Sequence, residues 1–179
     1  MMGIDIFGNE INSIVIDGIE CKPLHRFNIE IPGYYVSKCG KIWSSKSNKW
    51  KKTYINWRNK RGEGKPKCLD FSVTTPAKPF RELGMEYSSK GGRETAEFRL
   101  KVHFAVKTVW HPLKDFSHEL NISKELWDAA DPCWKALAYS CICIDHIDDD
   151  IFNNHLDNLQ YSNPLLNSNY RKKWDNVLI

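Results

Sequence analysis

At 179 residues the chain is long enough for one domain, or a domain with a small appendage. Its 41% hydrophobic and 27% charged residues fit a soluble globular protein. No run of about 18 apolar residues is present to span a membrane, and the N-terminus has no basic segment leading into an apolar one, so no secretory signal is read there and a cytoplasmic location is expected.

The net charge is only +4, but it is unevenly distributed. Residues 38–67 hold eleven cations (Lys38, Lys41, Lys46, Lys49, Lys51, Lys52, Arg58, Lys60, Arg61, Lys65, Lys67) against the single acid Glu63, while Asp145, Asp148, Asp149, Asp150 and Asp157 crowd one later window. A basic body beside an acidic pocket suits a polyanion held near a divalent cation. The competing reading of a lysine-rich stretch is a solvated face. The six cysteines form no Cys-x-x-Cys pair, which leaves paired zinc knuckles unsupported. Cys141 and Cys143, read as strand residues, would share a face.

In chain order, residues 3–20 read as short strands joined by tight turns at Gly8-Asn9 and Asp17-Gly18. Tyr35-Val36-Ser37 and Lys41-Ile42-Trp43-Ser44 read as two strands joined at Lys38-Cys39-Gly40, with Gly40 supplying positive φ. Residues 56–67 read as a basic, glycine-bearing loop flanked by Trp50 and Trp57, where cations interleaved with aromatics suit a nucleic-acid backbone and stacking on an unpaired base. The alternative is that the tryptophans pack into a small core, which is favoured for Trp43. Cys68–Thr74 reads as a strand broken at Thr75-Pro76, residues 76–94 as an insertion, and Thr95–Leu100 as the return strand.

Apolar residues at 102, 105, 106, 109 and 110 have helical spacing, closed by Pro112. His103 lies just off that stripe, where a histidine is more often buried and hydrogen-bonded than catalytic. Ser123 caps a second predicted helix, and a short one follows around Trp134 to Tyr139. Tyr139–Ile144 then reads as β-rich, running into Asp145-His146. A loop containing Asn153-Asn154 follows, then a strand Asp157–Tyr161 and a helix capped by Asn163 and started by Pro164. The unit is strand, polar loop, strand, helix. An Asp-His pair at the mouth of such a loop is placed to hold a hard metal ion and activate water. The structural alternative is an Asp/Asn-rich loop bonded to its own backbone, or holding Ca²⁺ for stability.

Two resemblances attach to these residues. The run Gly33-Tyr34-Tyr35-Val36-Ser37, Gly40-Lys41-Ile42, Ser44 and the basic segment after it resembles the NUMOD4 module, often found ahead of HNH nuclease domains in phage and intron-encoded endonucleases. It departs from the module at Lys38-Cys39, where an asparagine often precedes the turn. Asp145-His146-Ile147-Asp148, Asn153-Asn154, Asn158-Leu159 and Asn167, with Val102-His103 upstream, resemble the homing-type HNH (ββα-metal) nucleases. The fold this implies is α+β: a small β-rich DNA-contacting module ahead of a ββα-metal unit. The segments are an N-terminal extension at 1–28, the module at 29–75, the insertion and return strand at 76–99, and the nuclease domain at 100–179.

The resemblance implies a metal-dependent DNA endonuclease that leaves a 5′ phosphate and a 3′ hydroxyl. It makes His146 the general base, and Asp145 and Asn167 the ligands of one Mg²⁺ or Mn²⁺. Asn158 becomes the asparagine that holds the loop. Double-stranded DNA would lie against Lys46, Lys49, Lys51, Lys52, Arg58, Lys60 and Arg61, and against Arg171 and Lys172 beyond the site. A monomer or weak dimer in a phage-infected bacterial cell is expected. The rival readings are a non-cleaving DNA-binding protein that kept the fold, and a structure-specific or RNA nuclease.

Overall fold

The computed structural model describes residues 3–4, 10–11, 13–26, 29–57, 66–82 and 94–163. Two antiparallel sheets and a two-stranded hairpin close around one central helix. After a short pair, β1 (Gly3–Ile4) and β2 (Glu10–Ile11), the first sheet takes β3 (Ile14–Ile16), β4 (Ile19–Arg26), β5 (Ile29–Ser37), β6 (Ile42–Ser44) and β7 (Lys49–Trp50) in sequence order. Its turns follow from local chemistry. Asp17 and Gly18 both take positive φ (51° and 77°), the requirement of a two-residue hairpin turn whose twist matches its strands. The β5–β6 turn uses Gly40 at φ 83°, and Ser37 Oγ accepts from Lys41 N at 2.9 Å. Pro23, inside a central strand and without an N–H to give, coincides with a register shift between β4 and β5.

The second sheet is β10-β9-β8, built from β8 (Tyr54–Trp57), β9 (Pro66–Pro76) and β10 (Thr95–Lys101). Strand β9 runs through Thr75-Pro76 instead of breaking there, because Pro76 is its last residue and pairs with Thr95 at the start of β10. The expected loop at 56–67 is corrected at both ends, and residues 58–65 lie outside the described residues. Asn56 and Trp57 finish β8, and Pro66 and Lys67 begin β9. Between β9 and β10 lies α1 (Lys78–Glu82), closed by Ala77 N donating to Glu94 O at 2.9 Å. The two sheets are joined where Thr74 N donates to Tyr34 Oη at 3.2 Å.

Helix α2 (Val102–Trp110) follows β10 directly. The predicted stripe of Val102, Ala105, Val106, Val109 and Trp110 is buried, and it meets Leu24, Val36 and Ile42 of the first sheet, Phe71 and Val73 of the second, and Ile144, Leu156 and Leu159 of the hairpin in one core. Burial of each such side chain is worth about 1.5–3 kcal/mol, so α2 gains from all three layers at once. Trp110 Nε1 donates to Val36 O at 3.1 Å, fixing the helix to β5.

Helices α3 (Leu113–Phe116), α4 (Lys124–Ala129) and α5 (Pro132–Cys141) lead to the hairpin β11 (Cys143–His146) and β12 (Leu159–Ser162). Ser123 Oγ caps α4 through Leu126 N, and Asp131 with Pro132 starts α5. Here the structure corrects two readings. Residues 139–141 close a helix and β11 begins only at Cys143, so Cys141 and Cys143 do not share a strand. Residues 156–158 form a 3₁₀ turn, and the second strand begins at Leu159. All six cysteines are free thiols. Among the described residues, no helix is long and apolar enough to cross a membrane.

The segment divisions drawn from sequence run across paired strands. β4 and β5, on either side of 28/29, are neighbours in one sheet, and 75/76 falls within β9.

Candidate active site

The β11–β12 hairpin holds Cys143↔Ser162 through His146↔Leu159 in antiparallel register. Helix α2 lies beneath it, tied by a buried cation. Lys107 is 2% exposed, and its Nζ donates to Leu159 O and to Glu119 Oε1, both at 2.8 Å. Glu119 Oε2 in turn accepts from Tyr161 N at 2.6 Å, and Tyr161 Oη donates to His111 O at 2.8 Å. Every polar group in this cluster has a partner, the condition under which a buried ion pair is tolerated. Lys107 Nζ also lies 3.3 Å from His111 Nδ1. Burial, and then the Lys107 charge, push the His111 pKa down to about 4, so the ring stays neutral and accepts that bond.

The loop between the strands is held by its own polar side chains. Asp148 Oδ1 accepts from Asp150 N at 2.8 Å and Asn158 Nδ2 at 2.8 Å, and Asp148 Oδ2 accepts from Asn153 Nδ2 at 2.7 Å. These bonds, the one from Asn153 first, hold its carboxyl below the usual carboxylate range. Asn158 Nδ2 also donates to Asn153 O at 2.8 Å, and Asn158 Oδ1 accepts from Asp148 N at 3.1 Å. Asn158 therefore bonds to the loop's backbone and side chains and does not touch His146.

The residue that does touch His146 is Asn154. It is 4% exposed, with Oδ1 3.3 Å from His146 Nε2. Asn154 Nδ2 is spent on Ile151 O at 3.4 Å and Phe152 O at 3.1 Å. The amide oxygen is thereby turned toward the imidazole, which assigns the ring proton to Nε2 and leaves Nδ1 with its lone pair.

Asn154 is itself supported from the first sheet. Leu156 N donates to Lys38 O at 2.8 Å, and a Cβ at Gly40 would come within 3.0 Å of Asn154 Cβ. The β5–β6 turn thus rests on the loop that holds the histidine. On another side, the His103 ring meets His146 edge-on, with centroids 5.1 Å apart. His103 is buried as its place beside the stripe suggested, but its Nδ1 has no hydrogen-bond partner. Burial, followed by the charge of His146, pushes the His103 pKa down to about 3.

Asp145, paired with Gln160 in the ladder, is half-buried, and its carboxylate makes no hydrogen bond or ion pair among the described residues. It opens with His146 onto a cleft of about 550 Å³, which Lys67, Lys101 and Trp57 also line. A bare carboxylate facing a polar cleft suits a hard cation, which keeps most of its coordination for water and phosphate oxygens. Among the described residues no three His, Cys, Asp or Glu side chains converge as a metal cage. Such a cage is the pattern of a structural zinc site, not of an ion held by one or two protein oxygens. Asn167, Arg171 and Lys172, with Arg58, Lys60 and Arg61, lie outside the described residues.

Of the other basic residues, Lys49 and Lys52 are exposed and make no ion pair among the described residues. Lys46 Nζ donates to Thr74 O at 2.6 Å, and both Lys46 and Lys51 lie over the Tyr34 ring, at 4.9 and 5.9 Å. His155, exposed in the loop, sits 3.4 Å from Asp157. Trp43 and Trp50 are half-buried and pack edge to face with centroids 5.2 Å apart.

Reading the sequence passed over three contributors. Asn154 stood there as one of two adjacent asparagines and Gly40 as a turn residue, while Lys107 was given no role. Only for Gly40 was a local signal present.

No protein-family model matches this chain, and no curated protein matches it. Among solved structures, one described as "DNA binding and cleavage by the HNH homing endonuclease I-HmuI" aligns over 94% of this chain at 18% identity, with a TM-score of 0.43. This chain spans 62% of the length of that structure's chain.

Proposed function

We propose that the chain is a metal-dependent endonuclease of the HNH type, hydrolysing phosphodiester bonds in DNA with His146 as general base. The observation that carries this reading is His146 held through Nε2 by Asn154, next in the strand to Asp145, whose carboxylate has no hydrogen bond among the described residues, in a cleft that also presents Lys67 and Lys101. His146 Nδ1 takes a proton from water as the water oxygen bonds to phosphorus. The bond to the 3′ oxygen breaks, and that oxygen leaves as a hydroxyl with a proton from solvent. A positioned base of this kind contributes about 10²–10⁴-fold. His103, kept neutral by burial, adds no competing charge behind the base.

A Mg²⁺ or Mn²⁺ ion held by Asp145, with Asn167 as the second ligand, would neutralise charge on the phosphate and on the leaving oxygen. The five-stranded sheet brings duplex DNA, with Lys49 and Lys52 exposed for phosphates and Lys46 and Lys51 lending charge from their places over Tyr34.

The test is incubation of supercoiled plasmid and of phage genomic DNA with Mg²⁺ or Mn²⁺, comparing the native chain with His146→Ala. The native chain should nick or linearise at least one substrate, and the variant should lose about 10²-fold or more of that rate. Equal rates, or no cutting by either protein, would sink the assignment. Asp145→Ala should weaken Mn²⁺ binding measured by calorimetry on the protein alone.

A further inference from the structure

The cleft has a second wall that hydrolysis by itself does not use. Strand β8 is an edge of its sheet, and a register shift falls between Asn56 and Trp57, where an irregular edge can re-aim a side chain. Trp57 lines the same cleft as Asp145 and His146 while remaining 38% exposed. Trp43, Trp50, Trp110 and Trp127 each pack against another ring or a cation. Trp57 makes no such contact among the described residues. Its neighbour is anchored: Asn56 Nδ2 donates to Asp70 Oδ2 at 2.7 Å, and Asp70 also accepts from the Cys68 thiol at 3.3 Å. Lys67 and Lys101 line the same cleft, and neither makes an ion pair among the described residues.

A ring with an open face on an anchored strand, in a cleft with two cations that have no ion pair among the described residues, is an arrangement that binds single nucleotides by stacking. Inside a duplex each base has both faces covered, so Trp57 gains a partner only when a base leaves the stack. The cleft volume of about 550 Å³ suits a ligand the size of one nucleotide.

We propose that Trp57, Lys67 and Lys101 hold one unpaired nucleotide beside the scissile phosphate, so that the preferred substrate is DNA with an unstacked base at the cut. Such substrates are gaps, mismatches and branches. This rests on the nuclease reading for the chemistry, but the binding step is measurable without it.

The probe is a gapped duplex carrying 2-aminopurine as its unpaired base, against a continuous duplex of the same sequence. It is titrated without divalent metal using the His146→Ala protein. Stacking on Trp57 should quench the gapped probe. Adding Trp57→Ala should abolish that quenching and weaken binding of the gapped probe about tenfold, with less than a twofold change for the continuous duplex. Trp57→Phe should keep most of the quenching, which separates a lost ring face from a damaged fold.

Quenching unchanged by Trp57→Ala, or the same affinity for gapped and continuous DNA, overturns the proposal. If native protein cuts DNA through His146 but shows no Trp57-dependent quenching, the stacking wall fails alone. If quenching occurs in a chain that never cuts DNA, the wall stands and the nuclease reading fails.

Discussion

The β11–β12 hairpin and the upstream five-stranded sheet are both antiparallel, but different forces hold them. The sheet is a backbone ladder over an apolar face of Leu24, Ile31, Val36 and Ile42, and most of its lysines project outward. The loop of the hairpin has few apolar contacts of its own. Its shape comes from Asp148, Asn153, Asn154 and Asn158 bonding to one another and to the backbone. A sheet face tolerates substitution because burial is roughly additive and non-directional. A loop held by directional bonds loses its geometry when one partner goes. The two meet where Gly40 touches Asn154, so the tolerant region carries one intolerant position.

The largest effect on stability is expected at the seam between hairpin and helix. Lys107→Met leaves Glu119 in place without its buried partner and should cost about 3–5 kcal/mol in urea unfolding, a large share of an ordinary domain's stability. Lys107→Met with Glu119→Leu should cost less than the single change, and a greater loss in the double variant would break the account of a paired charge.

Next comes Asn154→Ala. It should lower the cutting rate about ten- to hundredfold while DNA affinity holds within about twofold. Nitrogen NMR should show the His146 ring proton on Nε2 in the native chain and a mixture of tautomers in the variant. A native ring protonated on Nδ1 would refute the tautomer assignment.

Gly40→Ala sharpens the comparison further, since it sits in the sheet and acts on the loop. Placing a side chain at φ 83° costs about 1–2 kcal/mol, and the contact with Asn154 should lower activity beyond what that loss of stability explains. An Ala variant that is less stable but fully active would detach the two regions.

A separate effect is expected from pH. His111 and His103 stay neutral in the fold, at about 4 and about 3, against an ordinary value near 6.5 in the unfolded chain. The unfolded state therefore binds more protons below about pH 6.5, and stability falls from there toward about pH 3. Urea unfolding at pH 7.5 and 5 should show the loss, and His111→Gln should shrink it.

The smallest effects belong to the exposed cations of the sheet. Lys49→Gln and Lys52→Gln should each reduce the salt slope of DNA binding by about one. Lys46→Gln should change it less, because its ammonium is already held by Thr74 O.

Where a feature depends on near neighbours in the chain, it was legible. Asp17-Gly18 and Gly40 announced their turns because few residues take positive φ. The stripe at 102, 105, 106, 109 and 110 announced α2 because one helical face must be apolar. The β-rich run into Asp145-His146 announced a strand end, although its first residues fold into α5, since pattern alone does not separate a short buried strand from a helix.

The chain's order of residues by itself determined the elements, the basic stretch, and an Asp-His pair beside an asparagine-rich loop, for these rest on turn chemistry and periodicity. Only the tertiary structure decided that Asn154, not its neighbour Asn153, faces the histidine. It also decided that Lys107 is buried 52 positions from its Leu159 acceptor, and that the turn at Gly40 rests on the loop. It brought Trp57 and Asp145 to one cleft as well. Each of these is a contact between distant segments, fixed by how three layers pack on one helix, and no local preference encodes it.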